Sequence, residues 1–137
     1  MSRIIGLDPG TRRIGVAVSD ASRQMAFPRD ALDASSDVTS QVRQMISDEG
    51  ADVVVVGRPL ALSGRITTST KVADEFRSRL ASELSSVTVL AVDERLSSVS
   101  ASKQLREAGR SAKQQRSVID SASAVILLQG YLDGLVR

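Results

Sequence analysis

Short runs of branched apolar residues alternate along this chain with longer stretches in which apolar positions recur every three or four residues. The first pattern predicts strands and the second amphipathic helices. Arg3 to Leu7 is an apolar run that ends at Asp8 and enters the turn-forming Pro9-Gly10-Thr11. Ile14 to Val18 then alternates large and small apolar residues and closes on Ser19-Asp20, as a second strand antiparallel to the first would. A third short strand is expected from Gln24 to Pro28. Ser36 or Asp37 caps a helix that carries Val38, Val42, Met45 and Ile46 on one stripe and stops at Gly50. Asp52 to Gly57 is β-branched without alternation, the pattern of a central parallel strand covered on both faces.

Arg58 to Thr70, rich in Pro, Gly, Ser and Thr, reads as a loop that opens a helix near its end. That helix carries Ala73, Phe76, Leu80 and Leu84, and Val87 to Val92 forms the next strand, ending in Asp93-Glu94-Arg95. Ser97 or Ser98 caps a helix through Leu105 that stops at Gly109, and a last helix runs from Gln114 to Leu132. Its small residues Ser121 to Ala124 allow a close approach to a sheet. The order β-β-β-α-β-α-β-α-α predicts an α/β fold: a mixed five-stranded sheet, antiparallel hairpin first and parallel strands after, with helices on both faces. At 137 residues, one domain spanning the chain is expected.

Composition narrows the chemistry. The chain has no Cys and no His, which excludes disulfides, thiolate or imidazole metal sites, and any His base or Cys nucleophile. Catalysis has to come from carboxylates, hydroxyls, Lys or Arg. The three aromatics, Phe27, Phe76 and Tyr131, are too few for a base-stacking platform. Net charge is only +2, yet Arg95 to Arg116 holds six basic residues against the single acid Glu107. Such a run is either a solvated face or a phosphate-binding stretch. No apolar run approaches a membrane span, and only Met1, Ser2 and Arg3 precede the first apolar strand residue, so no signal peptide and a cytoplasmic location are expected.

Open sheets of this kind gather function at the carboxyl ends of neighbouring parallel strands. Asp8 ends the first strand, Asp93-Glu94 ends the last, and Asp120 lies in the first turns of the final helix. Singly these are a turn residue, a solvated strand end and a helix-terminus acid. Together they offer the hard oxygen donors that Mg²⁺ or Mn²⁺ takes, the remaining metal chemistry for a chain without His or Cys. An extended backbone sends Asp93 and Glu94 to opposite faces, so only one of them can join Asp8, and a bulge or turn would exchange them.

The stretch Gly6-Leu7-Asp8-Pro9-Gly10-Thr11-Arg12-Arg13-Ile14-Gly15-Val16-Ala17 resembles the opening motif of the YqgF/RuvX family, small RuvC-like members of the ribonuclease H superfamily. Val55-Val56-Gly57-Arg58-Pro59-Leu60 with Ser63-Gly64, Asp93-Glu94-Arg95-Leu96-Ser97-Ser98 and Asp120-Ser121-Ala122-Ser123-Ala124 resemble its later motifs, in order and over essentially the whole chain. The resemblance implies a ribonuclease H-like fold and Asp8, Glu94 and Asp120 as a catalytic triad holding Mg²⁺ or Mn²⁺. It also implies a nuclease that processes the 5′ end of pre-16S ribosomal RNA or cleaves branched DNA such as Holliday junctions. Junction cleavage would need a homodimer, because two strands are cut symmetrically. Thr11, Arg12 and Arg13 lie beside Asp8, where they could grip a phosphate, and Lys103, Arg106, Arg110, Lys113 and Arg116 would add backbone contacts. Arg95 is either a phosphate contact or a tie between the carboxylates. Arg58 and Ala61 depart from the family, which commonly has Leu and Asn there. Two other readings compete: a noncatalytic nucleic-acid-binding module, and phosphotransfer of the actin-like ATPase kind, which needs a second domain.

Overall fold

The computed structural model describes residues 2–10, 12–96 and 112–135, the side chains of Leu96 and residues 112–120 excepted. Its elements are β1 (Arg3–Pro9), β2 (Arg13–Ser19), β3 (Ala26–Asp33), α1 (Val38–Glu49), β4 (Ala51–Arg58), α2 (Thr68–Glu83), β5 (Thr88–Asp93), a 3₁₀ turn at Glu94–Leu96 and α3 (Ala112–Leu135). The helix expected between Ser97 and Gly109 lies outside the described residues.

Five strands form one sheet in the order β3-β2-β1-β4-β5. β1 and β2 pair antiparallel with Ile5 opposite Val18 and Asp8 opposite Gly15, and β2 pairs antiparallel with β3. β4 lies parallel to both β1 and β5, with Val56 beside Leu7 and Ala91. The expected mixed sheet is therefore present.

Successive side chains on a strand point to opposite faces, and each face has its own cover. Ile5, Leu7, Val16, Val18, Val54 and Val56 pack with Val42 of α1 and Leu80 of α2. Ile4, Ala17 and Val55 pack on the other side with Ala124, Leu128 and Leu132 of α3. Both faces of β4 are thus buried, which is why its valines run without a polar break.

The helix ends follow from local chemistry. Asp37 is the N-cap of α1 and accepts the Ser40 N–H at 3.2 Å, while Gly50 closes that helix with φ 66°, a left-handed conformation costly for other residues. Thr67 and Thr70 satisfy each other's backbone N–H groups at the start of α2, and the Thr70 hydroxyl also donates to the Pro59 carbonyl.

β3 lies later than the sequence suggests, at Ala26–Asp33 rather than Gln24 to Pro28. It is an edge strand with Leu32 as its one buried residue. Its pairing with β2 also shifts between Ile14 and Val16, where Gly15 faces two residues, Asp30 and Ala31. This bulge breaks the period of two on which recognition from sequence depends.

Candidate active site

β1, β4 and β5 are parallel neighbours, so their carboxyl ends meet at one edge of the sheet. On β1, Ile4 and Gly6 face α3, and the strand period sends the half-buried Asp8 to that same face. The approach of α3 is very close: a Cβ on Gly6 would lie 2.9 Å from Leu128 Cβ. Leu7 stands beside Val56, so the next row sets Asp8 beside Gly57, which in turn pairs with Val92.

Gly57 leaves a space that Glu94 fills. A Cβ on residue 57 would lie 2.6 Å from Glu94 Oε1 and 3.1 Å from Leu127 Cδ2. Glu94 therefore folds back from the end of β5 over β4. Parallel strands stand about 4.8 Å apart, so Asp8 flanks the same space from β1.

Asp93 points the other way. Val92 packs on the α3 side, and Asp93 turns to the α2 side, where Arg95 Nη2 reaches its Oδ2 at 2.7 Å and the Arg95 N–H donates to Oδ1 at 2.9 Å. The Arg95 guanidinium hydrogen bond holds the Asp93 carboxyl below the usual carboxylate range. On this side too, Arg58 binds Asp74 of α2 with both ends of its guanidinium, at 2.9 and 3.1 Å. Arg95 thus ties down Asp93 and the loop after β4, and Arg58 fastens β4 to α2.

Asp120 enters through the backbone of α3. Its position falls on the helical stripe of Ala124 and Leu127, residues that pack over β1 and β4. The next residue, Ser121, is fully buried: its Oγ accepts the Val16 N–H at 3.1 Å and donates to the Arg29 carbonyl at 2.6 Å. Ser121 thereby bridges β2 and β3 beside the bulge and fixes the level at which α3 crosses the sheet. In the sequence Ser121 stands out only by its small size. Nothing local reveals its partners, which lie 105 and 92 residues away.

Among the described residues, no group of three acidic side chains converges as a metal site. Asp8 and Glu94 are among the described residues, and the Asp120 side chain is not. Arg12 and Arg13 are exposed at the start of β2, Arg13 opposite Asp33. Thr11, Lys103, Arg106 and Arg110 lie outside the described residues, as do the side chains of Lys113 and Arg116.

A family profile described as "RuvX: Holliday junction resolvase" matches residues 2–134. The chain belongs to the RuvX family. Its relatives include several that bear the name "Putative pre-16S rRNA nuclease". The one from Leifsonia xyli subsp. xyli is 44% identical, over 94% of this chain and 84% of its own. The one from Nocardioides is 42% identical (94% and 86%), and the one from Mycobacterium tuberculosis is 41% identical (96% and 78%). Among solved structures, the RuvX chain is similar to T. thermophilus RuvC in complex with Holliday junction substrate, with TM-score 0.61 and 13% identity over 99% of this chain and 96% of that one. It is also similar to the Fowlpox virus resolvase bound to Holliday junction DNA, with TM-score 0.58 and 13% identity over 98% and 99%. At such identity the likeness establishes the RuvC-like, ribonuclease H-type fold. The names of family and relatives alike belong to enzymes that cut nucleic acid, and the RuvX chain is a nuclease.

Proposed function

We propose that this nuclease hydrolyses phosphodiester bonds at the carboxyl edge of β1, β4 and β5, using a divalent cation held by Asp8, Glu94 and Asp120. The observation that carries this reading is the Glu94 carboxylate, folded over Gly57 into the row of Asp8. A glycine that lets one carboxylate fold over β4 towards the strand end carrying another suits an oxygen-loving cation such as Mg²⁺ or Mn²⁺. Bound there, such ions would supply activation of water and stabilisation of the leaving oxygen. Asp8 from the end of β1 and Glu94 from the end of β5 would present their oxygens to the cation. Ser121, locked to β2 and β3, sets the height of Asp120 on α3. Arg12 and Arg13, on the segment after Asp8, and Lys103, Arg106, Arg110 and Lys113, in the segment before and at the start of α3, would hold the phosphate backbone by charge.

The name of the relatives favours precursor 16S ribosomal RNA as the substrate; we take its 5′ end as the part processed, and a cytoplasmic setting fits that work. No described helix is long and apolar enough to cross a membrane. The test offers purified protein a 5′-extended pre-16S RNA, single-stranded RNA, duplex DNA and a four-way junction, each with Mg²⁺, Mn²⁺ or EDTA. Preferential cutting of the extended RNA, abolished by EDTA, is expected. Preferential, paired cutting of the junction would transfer the reading to a dimeric resolvase, and cutting undiminished by EDTA would overturn the metal site.

A further inference from the structure

Leu62 is 94% exposed, by a wide margin the most exposed of the large apolar residues described. A lone surface leucine is ordinary; one held out on a braced tip beside an active site is not. The segment from Pro59 to Thr67 joins β4 to α2, leaving the sheet just after Gly57 and Arg58. Within it the Ala61 N–H donates to the Arg65 carbonyl at 3.0 Å and the Gly64 N–H to the Ala61 carbonyl at 2.8 Å. Gly64 takes φ 89° to close this small turn. The hydroxyl of Thr70 grips the Pro59 carbonyl from below.

The tip is also tied to the strand that delivers Glu94. Arg95 Nη1 donates to the Leu62 carbonyl at 3.4 Å, while Nη2 of the same guanidinium binds Asp93 at 2.7 Å. One residue thus fixes the spacing between the Leu62 tip and the backbone on either side of Glu94. The backbone of the tip is thereby held in place relative to the backbone that delivers Glu94.

Resting on the nuclease reading above, we propose that Leu62 is an apolar wedge that enters the base stack of the nucleic-acid strand next to the phosphate being cut. Aliphatic side chains inserted between bases unstack them and bend the backbone, and splayed bases are the ordinary mode of recognition of single-stranded RNA. The usual stacking partners are missing here. Phe76 and Tyr131 pack against the two cores, and Phe27 lies on β3, at the edge of the sheet opposite β5. Ser63 and Arg65, both exposed, flank the wedge with a hydroxyl and a cation suited to the neighbouring phosphates.

The experiment uses whichever substrate the parent enzyme cuts, with 2-aminopurine placed beside the mapped cut. Single-turnover reactions started with Mg²⁺ are followed by stopped-flow fluorescence and by product formation. The parent should show a rise in 2-aminopurine emission before cleavage. Leu62→Ser should lose that rise and cut about tenfold more slowly with its thermal midpoint unchanged, and Leu62→Phe should restore both. Val72→Ser, at another exposed apolar residue on α2, should behave as the parent. A parent that cuts, with Leu62→Ser matching it in emission and rate, overturns the wedge and leaves the nuclease standing. A parent that cuts none of the substrates with any divalent ion overturns both.

Discussion

The Ser121 hydroxyl accepts the backbone N–H of Val16 at 3.1 Å, making a helix side chain part of the sheet's own hydrogen-bond ladder. Val16 and Arg29 face each other across β2 and β3, and Ser121 joins the N–H of one to the carbonyl of the other. Ser121→Ala would leave both groups buried without that partner. The expected cost is about 1–3 kcal/mol in urea unfolding. Cleavage should fall as well, because Asp120 is carried by the same turn. A loss below about 0.5 kcal/mol would show that the bridge contributes little.

Gly57→Ala tests the space over β4. The new methyl would meet Glu94 Oε1 at 2.6 Å, the free end of a flexible side chain, so the carboxylate swings away and the fold survives. Misplacing a reacting group by an ångström costs about a hundredfold in rate. The variant should therefore fold, with a cooperative thermal transition, yet lose most of its cleavage and most of its midpoint gain on adding Mn²⁺. Activity within about threefold of the parent would place the chemistry elsewhere.

Neighbouring acids on opposite faces should respond differently to loss of charge. Asp8→Asn, Glu94→Gln and Asp120→Asn should abolish cleavage while holding or raising the metal-free thermal midpoint, since each relieves repulsion between like charges. Asp93→Asn should keep cleavage and lower the midpoint slightly, because Asp93 binds Arg95 rather than the cation. The reverse outcome, an inactive Asp93→Asn beside an active Glu94→Gln, would move the ligand by one residue.

Glu49 is one contributor to acid sensitivity. The last residue of α1, it binds Arg29 of β3 at 2.7 Å and Arg3 of β1 at 2.9 Å, and the Arg29 hydrogen bond first, then its charge and Arg3, hold its pKa below the ordinary 4.5. A depressed carboxyl stabilises the fold fully above its unfolded value and loses that contribution as pH falls through the lower, folded value. The thermal midpoint should thus drop below about pH 4.5. In Glu49→Gln the drop should be shallower, measured from pH 6 to pH 3 in thermal scans. Parallel curves for parent and variant would remove Glu49 as a contributor.

Much of this architecture is legible in the order of residues, and its gaps have physical causes. The valines of β4 and the stop at Gly50 state their roles locally, through burial on both faces and through a left-handed backbone angle. β3 does not, because an exposed edge strand with a bulge has no regular alternation to read. The choice between Asp93 and Glu94 hung on where β5 stops. It stops at Asp93, and the 3₁₀ turn begins only at Glu94, so the strand's parity carries through. Arg95 could have tied the carboxylates together, but its guanidinium follows Asp93 to the α2 side. Ser121 was beyond reach from sequence, because its partners belong to strands formed far earlier in the chain.

The strand order also decides when the chain becomes dangerous to nucleic acid. Asp8 is made early, on a strand whose hairpin neighbour follows directly, yet Glu94 cannot stand near it until β4 has slotted between β1 and β5. The α3 turn that carries Asp120 docks on the sheet later still, through Ser121. On the proposed set of acids, a nascent or half-unfolded chain holds no complete centre. On that set, cutting power comes only with the assembled sheet and the docked α3 and goes when the sheet opens, a safeguard for any nuclease that works among a cell's unfinished RNAs.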